Sequence, residues 1–400
     1  MKKKFDFKTL LPVLIPLIAA VVVVSTLAIS GKVAKNSDET SPSATVTAYT
    51  EAQTEAVEED DAKVSIVAVG DNLIHNTLIA AGEKDDGTRD YNSFYEDINR
   101  YIKPADIAII NQETMLGGSS FKYSGYPNFN TPWEVGEAAI NAGFNVFTCA
   151  TNHSMDIGTA GIEKELEFFE KHPEVVHVGT YASQDDYNKI TYMEKNGLKF
   201  AFLNYTQHTN GIGVPENKSY VVKFLKEELV KKEIKQARKN ADVVIVLPHW
   251  EQENSHDVIE LQRKYVKIFS DLGVDIVIGT HPHVLQPVEW VKNEETGKKM
   301  LVYYSIGNFI SHQINLNQMV GGMAEITVER VDGEIQITNA KLAPVIDFYK
   351  NSNGKYKFSV YKFSDYNDDL ASQQAQGGPS VKYAEKLAKR IVDEEFLDLN

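Results

Sequence analysis

Cysteine is nearly absent: 400 residues carry one, Cys149. A single thiol cannot close an intramolecular disulfide, and it excludes any zinc site built from paired cysteines. Cys149 lies in the apolar run FNVFTCA, where a thiol packs as a small hydrophobe, so it reads as buried rather than nucleophilic. Positive charge is also scarce: 41 Lys and Arg face 56 Asp and Glu, a net charge of −15. No basic stripe gathers those cations, which excludes nucleic acid as a partner, because phosphate binding draws on clustered Lys and Arg. Two catalytic signatures are missing too. No G-x-S-x-G elbow offers a serine nucleophile, and no glycine-rich phosphate loop follows any apolar run.

What is present begins with a long apolar segment. Four lysines in MKKKFDFK precede an uncharged stretch from Thr9 to Ser30, long enough as a helix to cross ~30 Å of hydrocarbon. A cleaved signal has an apolar core of only about 7–15 residues. The expectation is therefore an uncleaved, single-pass anchor over residues 1–30 in the cell membrane, with the lysines inside and the folded part extracytoplasmic. Residues 31–62 have no period, few large apolar side chains and an acidic end. Such a segment buries too little surface to offset the ordering of its backbone, so it reads as a disordered linker.

From Lys63 onward, short apolar runs alternate with amphipathic segments, the pattern of an α/β fold with a mainly parallel sheet. The residue after each run carries the information. VSIVAV leads to Gly70-Asp71, DIAII to Asn111-Gln112-Glu113, NVFTCA to Thr151-Asn152-His153, DVVIVL to Pro248-His249, and DIVIG to Thr280-His281-Pro282-His283. Functional groups of α/β sheets gather outside the carboxyl ends of strands, so the five loops are expected to share one site. Taken singly, Asp71 also suits a helix cap, as do Asn152 and Ser154 before TAGIEKELEFFEKH. Taken together, carboxylates, an amide and imidazoles at five strand ends form the donor set of Zn, Mn or Fe. Along an extended GTHPHVLQPVE without a twist, His281 and His283 would point to opposite sides.

The motifs VGDNLI, NQET, TNHSMDIG, LPHWEQE, GTHPHVLQPVE and YSIGNF, in this order, resemble the CapA family of poly-γ-glutamate capsule synthesis, which is similar to calcineurin-like metallophosphoesterases. The resemblance implies a layered metallophosphatase-like α/β sandwich over 63–345, closed by a hairpin turned at Asp332-Gly333, and followed by an extension at 346–400 with a surface helix. It implies two divalent metal ions held by Asp71, Glu113, Asn152, His249, His281 and His283. It further implies His153 as general acid or oxyanion contact for the leaving group, with Glu253 and Asn308 near the substrate; His75, four positions after Asp71, comes within reach of the substrate if a helix starts there. Leu73 stands where those phosphoesterases place a histidine, Glu113 replaces a bridging Asp, and Glu251 occupies a position that is usually Gly. The implied partners are poly-γ-glutamate or a phosphoester substrate, other capsule-synthesis membrane proteins, and the membrane itself through the N-terminal helix. Two other functions fit the same residues: a metal-dependent phosphoesterase or amide hydrolase unconnected with capsule, and a non-catalytic subunit that binds a polyanion.

Overall fold

A computed structural model of the protein describes residues 62–400. The expected anchor at 1–30 and all but the last residue of the expected linker lie outside the described residues. Among the described residues, no helix is long and apolar enough to cross a membrane.

The described residues contain 14 strands: β1 (Lys63–Asn72), β2 (Ile107–Asn111), β3 (Val146–Thr148), β4 (Val176–Val178), β5 (Thr191–Lys195), β6 (Leu198–Thr206), β7 (Val243–His249), β8 (Ile276–Ile278), β9 (Val288–Lys292), β10 (Lys299–Tyr303), β11 (Asn308–Ile310), β12 (Val320–Val331), β13 (Glu334–Ser352) and β14 (Lys355–Lys362). They form two sheets. The first runs β14-β13-β12-β1-β2-β3-β4, with β11 added beside the end of β1, and the second runs β5-β6-β7-β8-β10-β9. The parallel pattern expected from the sequence holds at the centres, across β1 to β4 and across β6, β7, β8 and β10. Strands β12 to β14, and the edges β5 and β9, pair antiparallel.

Side chains alternate across each central strand, and both faces are covered. Ile66 and Ala68 of β1 with Ile107 and Ile109 of β2 meet Phe200, Phe202, Ile245 and Ile276 of the second sheet. The intervening Val67, Val69, Ala108 and Ile110 pack instead with Val135, Ala139 and Phe168, which lie on helices Trp133–Ala142 and Gly158–Glu170. Behind the second sheet, Leu203, Val244 and Val246 pack with Val230, Ile234, Val266 and Phe269 from helices Glu227–Ala237 and Glu260–Asp271. The layering is helix, sheet, sheet, helix. Strands buried on both faces read as unbroken apolar runs, and each buried aliphatic side chain contributes about 1.5–3 kcal/mol, which is why these runs become the core.

Two expectations change. The extension does not begin at residue 346 as a separate part: β13 runs through that point, β14 pairs with it, and Ala384, Leu387, Val392 and Phe396 join the core between the sheets. Removing these apolar side chains from water is what draws the segment onto the core. Helix Gly158–Glu170 is preceded by Ile157, so neither Asn152 nor Ser154 caps it. The Asp332-Gly333 turn does close the β12–β13 hairpin, both residues having left-handed φ, 52° and 78°, as a tight hairpin of this twist requires.

One glycine decides where the site lies. A Cβ on Gly70 would stand 1.8 Å from the carbonyl oxygen of Gly307. Only the bare glycine lets the segment before β11 lie against β1, and that approach sets Asn308 beside Asp71 in register.

Candidate metal centre

The C-terminal ends of β1, β2, β3, β7 and β8 come together at one edge of the two sheets. Asp71, Glu113, Asn152, His249, His281 and His283 are all buried there. Asn204 on β6 ties the sheets together at this edge: its Oδ1 accepts N–H groups of Cys149 (3.1 Å) and Ala150 (2.7 Å), and its Nδ2 donates to the Leu247 carbonyl (2.7 Å). The loop after β3 is stiffened by hydroxyls. Ser154 Oγ accepts from Thr151 N (2.7 Å), and Thr151 Oγ1 donates to the Glu113 carbonyl (2.8 Å).

Two constellations share Glu113. In one, ligand atoms of Asp71, Glu113 and His283 lie within 4.8 Å of one another; in the other, those of Glu113, His249 and His281 do. Asn152 completes the second, its Oδ1 lying 2.9 Å from His249 Nε2. His249 Nδ1 is occupied by Thr280 Oγ1 at 3.0 Å, which turns Nε2 inward, where His281 Nδ1 stands 3.1 Å away. Lone pairs of an amide oxygen, two imidazoles and a carboxylate thus converge on a common volume, and they repel one another unless positive charge lies among them.

Glu113 makes the same point more sharply. It is completely enclosed, neither carboxylate oxygen has a hydrogen-bond partner, and Nε2 of His283, His249 and His153 stand 3.8, 3.9 and 4.0 Å from its Oε1. Burial drives its pKa well above the ordinary carboxylate range, against the pull of His283. Burial likewise depresses His249, helped by the charges of His281 and His283. His283 goes the other way. Burial acts to lower it, but Glu113 and the contact with Asp71 outweigh that and raise it to about 10. Its Nδ1 sits 2.9 Å from Asp71 Oδ2 and 3.0 Å from Asn308 Oδ1. A buried carboxylate with no donor, ringed by imidazoles, fits a divalent cation, and its place in both constellations is that of a shared ligand.

The expectation that the two loop histidines point to opposite sides is corrected. The segment is not extended: His281 and His283 both have left-handed φ, 94° and 60°, and their rings lie 5.8 Å apart on the same side. Pro282 fixes its own φ, and the bends on either side turn both rings inward, a strain of about 1–3 kcal/mol per residue held by the surrounding fold.

His153 sits at the edge of the cluster. Its Nδ1 contacts Asp156 Oδ2 at 2.8 Å, leaving Nε2 on the side of Glu113, and Phe129 packs edge-on against the ring at 4.6 Å. Glu253 is exposed, yet its carboxylate falls within 4.8 Å of ligand atoms of His281 and His283. Asn308 is buried, with its amide donating to the Gln318 carbonyl (3.0 Å) and Gln313 Oε1 (2.7 Å), so it braces His283 instead of facing outward. His75 stands just before helix Asn76–Ala81, with Nδ1 3.1 Å from the Leu73 carbonyl and 3.2 Å from His312 N. It belongs to neither constellation, and burial holds its pKa down at about 4.

Five side chains of the site were given no role from the sequence: Asn111 and Thr280, which stand at the strand ends already noted, and Asp156, His208 and Asn210. Asn111 Nδ2 donates to Asp71 Oδ1 at 2.8 Å, and Asn210 Oδ1 accepts from Asn152 Nδ2 at 3.4 Å. Asp156 alone left a signal, an acid three residues after His153. His208 and Asn210 reach the site from the end of β6, where no motif marks them.

The family model described as bacterial capsule synthesis protein PGA_cap matches residues 65–313. The chain belongs to that family. Among PGA_cap relatives, it is 36% identical over 172 residues to the PGA biosynthesis protein CapA of Bacillus subtilis (strain 168), covering 42% of this chain and 43% of that one. It is 30% identical over 184 residues to the capsule biosynthesis protein CapA of Bacillus anthracis, covering 45% and 43%. In both cases, less than half of the relative's length is spanned. Among solved structures, the chain is similar to the NAD nucleotidase (NadN) of Haemophilus influenzae at 16% identity and a TM-score of 0.45, covering 84% of this chain and 64% of that one. It is also similar to the calcineurin-like phosphoesterase YfkN of Bacillus subtilis at 14% identity and a TM-score of 0.41, covering 83% and 97%. The mixed α/β architecture is established by the strand order itself.

Proposed function

We propose that this PGA_cap protein is a membrane-anchored, extracytoplasmic component of poly-γ-glutamate capsule synthesis. In this reading it holds two divalent cations around Glu113 in the manner of the metallophosphoesterases, and it acts on a phosphoester or on an amide bond of the anionic polymer. The observation that carries the proposal is the enclosed Glu113 carboxylate, both oxygens without a donor, shared by two sets of ligand atoms. Asp71 and His283 would hold one ion, Asn152, His249 and His281 the other, with Glu113 common to both. When bound, such ions lower the pKa of a water to about 7 and stabilise charge developing on the reacting oxygen.

The chain's own groups supply the rest. Asp156 accepts from His153 Nδ1, which leaves Nε2, on the side of the cluster, as the atom that would carry the transferable proton of the doubly protonated ring. From there it can protonate a departing oxygen or nitrogen, the role of a general acid. Phe129 shields one side of the imidazole from water. The acidity of the domain leaves bound cations as the main attraction for polymer carboxylates.

The test uses the full chain purified without chelator. Elemental analysis should find two equivalents of Mn, Zn or Fe. The loaded protein should hydrolyse p-nitrophenyl phosphate or shorten poly-γ-glutamate, and His153→Ala should lower turnover by about 10²–10⁴-fold while keeping the metal. A chain that takes up none of these ions would overturn the proposal. Metal uptake without turnover on either substrate would leave the polyanion-binding subunit as the function.

A further inference from the structure

Glu251 has a position that the proposed chemistry does not yet use. Its Oε1 lies 3.3 Å from His281 Nε2, the acceptor beside a nitrogen that otherwise has no hydrogen-bond partner. The same oxygen makes a short contact with His208 Nε2. His208 Nδ1 accepts the backbone N–H of Asn210 at 3.3 Å, so the proton of that ring is on Nε2 and is given to Glu251. The backbone is secured as well: Glu251 N donates to Gln207 Oε1 (3.1 Å), and Gln207 N donates to the His249 carbonyl (3.1 Å). On the opposite side of the His281 ring, Nδ1 faces His249 Nε2 at 3.1 Å. The two nitrogens of His281 therefore look at unlike surroundings, a carboxylate on one side and the lone-pair cluster on the other.

We propose that Glu251, held in place by His208, is a positioning residue that fixes the tautomer and ring orientation of His281, so that its Nδ1 lone pair is presented to Glu113, Asn152 and His249. The proposal rests on the reading of that cluster as a cation site. The physical reason is general: a carboxylate behind a ligating imidazole claims the N–H, leaves the lone pair on the other nitrogen and raises its basicity, and losing it typically costs about 10–100-fold in metal affinity. The geometry also identifies what the loop after β6 is for. Gln207, His208 and Asn210 each touch the site through another residue.

The experiment titrates Co²⁺ into the metal-free full chain, following the visible absorption of the ion and competition with a chromophoric chelator. Glu251 is 30% exposed, so its truncation opens no buried void, and thermal unfolding of the metal-free variants should match the parent. Glu251→Ala should weaken one of two ions by about 10–100-fold and alter its spectrum. Glu251→Gln, whose carbonyl oxygen still accepts an N–H, should retain most of the affinity. His208→Ala should fall between, and the double variant should be no weaker than Glu251→Ala. An unchanged affinity and spectrum in Glu251→Ala would overturn the inference alone, as would equal losses in Ala and Gln variants, because such a loss ignores the accepting oxygen. A third ion held by His208, Glu251 and His281 in the parent would also overturn it. A parent that binds no Co²⁺ would instead overturn the cation site itself, and the inference with it.

Discussion

An enclosed carboxylate without a single donor is costly to leave unbalanced, and Glu113 is that residue here. Burying an ion without partners is so unfavourable that the group takes up a proton or a cation. Glu113→Gln should therefore reduce metal content at both positions together, measured by elemental analysis, whereas loss at only one would show that it is not shared. His153 offers the contrasting case. It stands 4.0 Å from Glu113 through Nε2 and is fixed by Asp156 through Nδ1, so His153→Ala should leave metal content intact and lower kcat by about 10²–10⁴-fold. Steady-state kinetics beside metal analysis separates the two residues. That Asp71, Glu113, Asn152, His249, His281 and His283 would gather was legible because each lies within a few residues of the end of an apolar run. Asp156 was not, since an acid three positions after a histidine is equally a solvated residue until the loop curls back.

At the scale of the element, the informative piece is the junction of β1 and β11. Asp71 opposes Asn308 only because Gly70 admits the Gly307 carbonyl to within a Cβ's own space. Gly70→Ala should destabilise the protein by about 1–3 kcal/mol, the usual cost of overpacking, seen as a lower denaturant midpoint, and should weaken metal binding by displacing Asn308 from His283. A variant with reduced stability and unchanged metal affinity would show that the junction supports the fold without setting the site. The central strands, the closing hairpin and the helices at Glu227–Ala237 and Glu260–Asp271 were legible because burial on two faces, a turn dipeptide and a 3.6-residue period are local signals. Short strands such as β4 and β11, three residues each, carry too few side chains to show a period. The left-handed bends at His281 and His283 were hidden for a related reason: their strain is held by distant packing, and residue type does not announce it.

For the whole molecule, two buried acids set a pH dependence remote from catalysis. Burial raises Asp347 to about 8 despite two hydrogen bonds from Ser311, and raises Glu165 to about 7. Each binds a proton in the folded state over a range where the unfolded chain has released it. The stability they favour is therefore fully present below the unfolded values near 4 and is lost as pH rises through about 7 to 8. The slope is about 1.4 kcal/mol per pH unit for each group within its window. Asp347→Asn, neutral throughout and able to accept from Ser311, should flatten this decline between pH 5 and about 8 in denaturant titrations of metal-free protein; an unchanged slope would place the charge elsewhere. Metal removal acts on the same scale. Ions that bind only the folded chain add about 2.7 kcal/mol at a hundredfold excess over Kd, so a chelator should lower Tm, and Glu113→Gln should make Tm insensitive to it.

The sequence by itself determined the inventory of strands buried on both faces, the donor set at their ends and the family to which those motifs belong, because hydrophobic period and residue chemistry are written locally. Only the tertiary structure decided that the extension completes the core, that Asn308 and Glu251 stand behind His283 and His281, and that residues from β1 to the loop after β8 enclose one carboxylate. Those outcomes depend on which surfaces are left to bury and on contacts across some two hundred residues, as between Asp71 and His283, and such distances in the chain leave no mark on any local stretch of it.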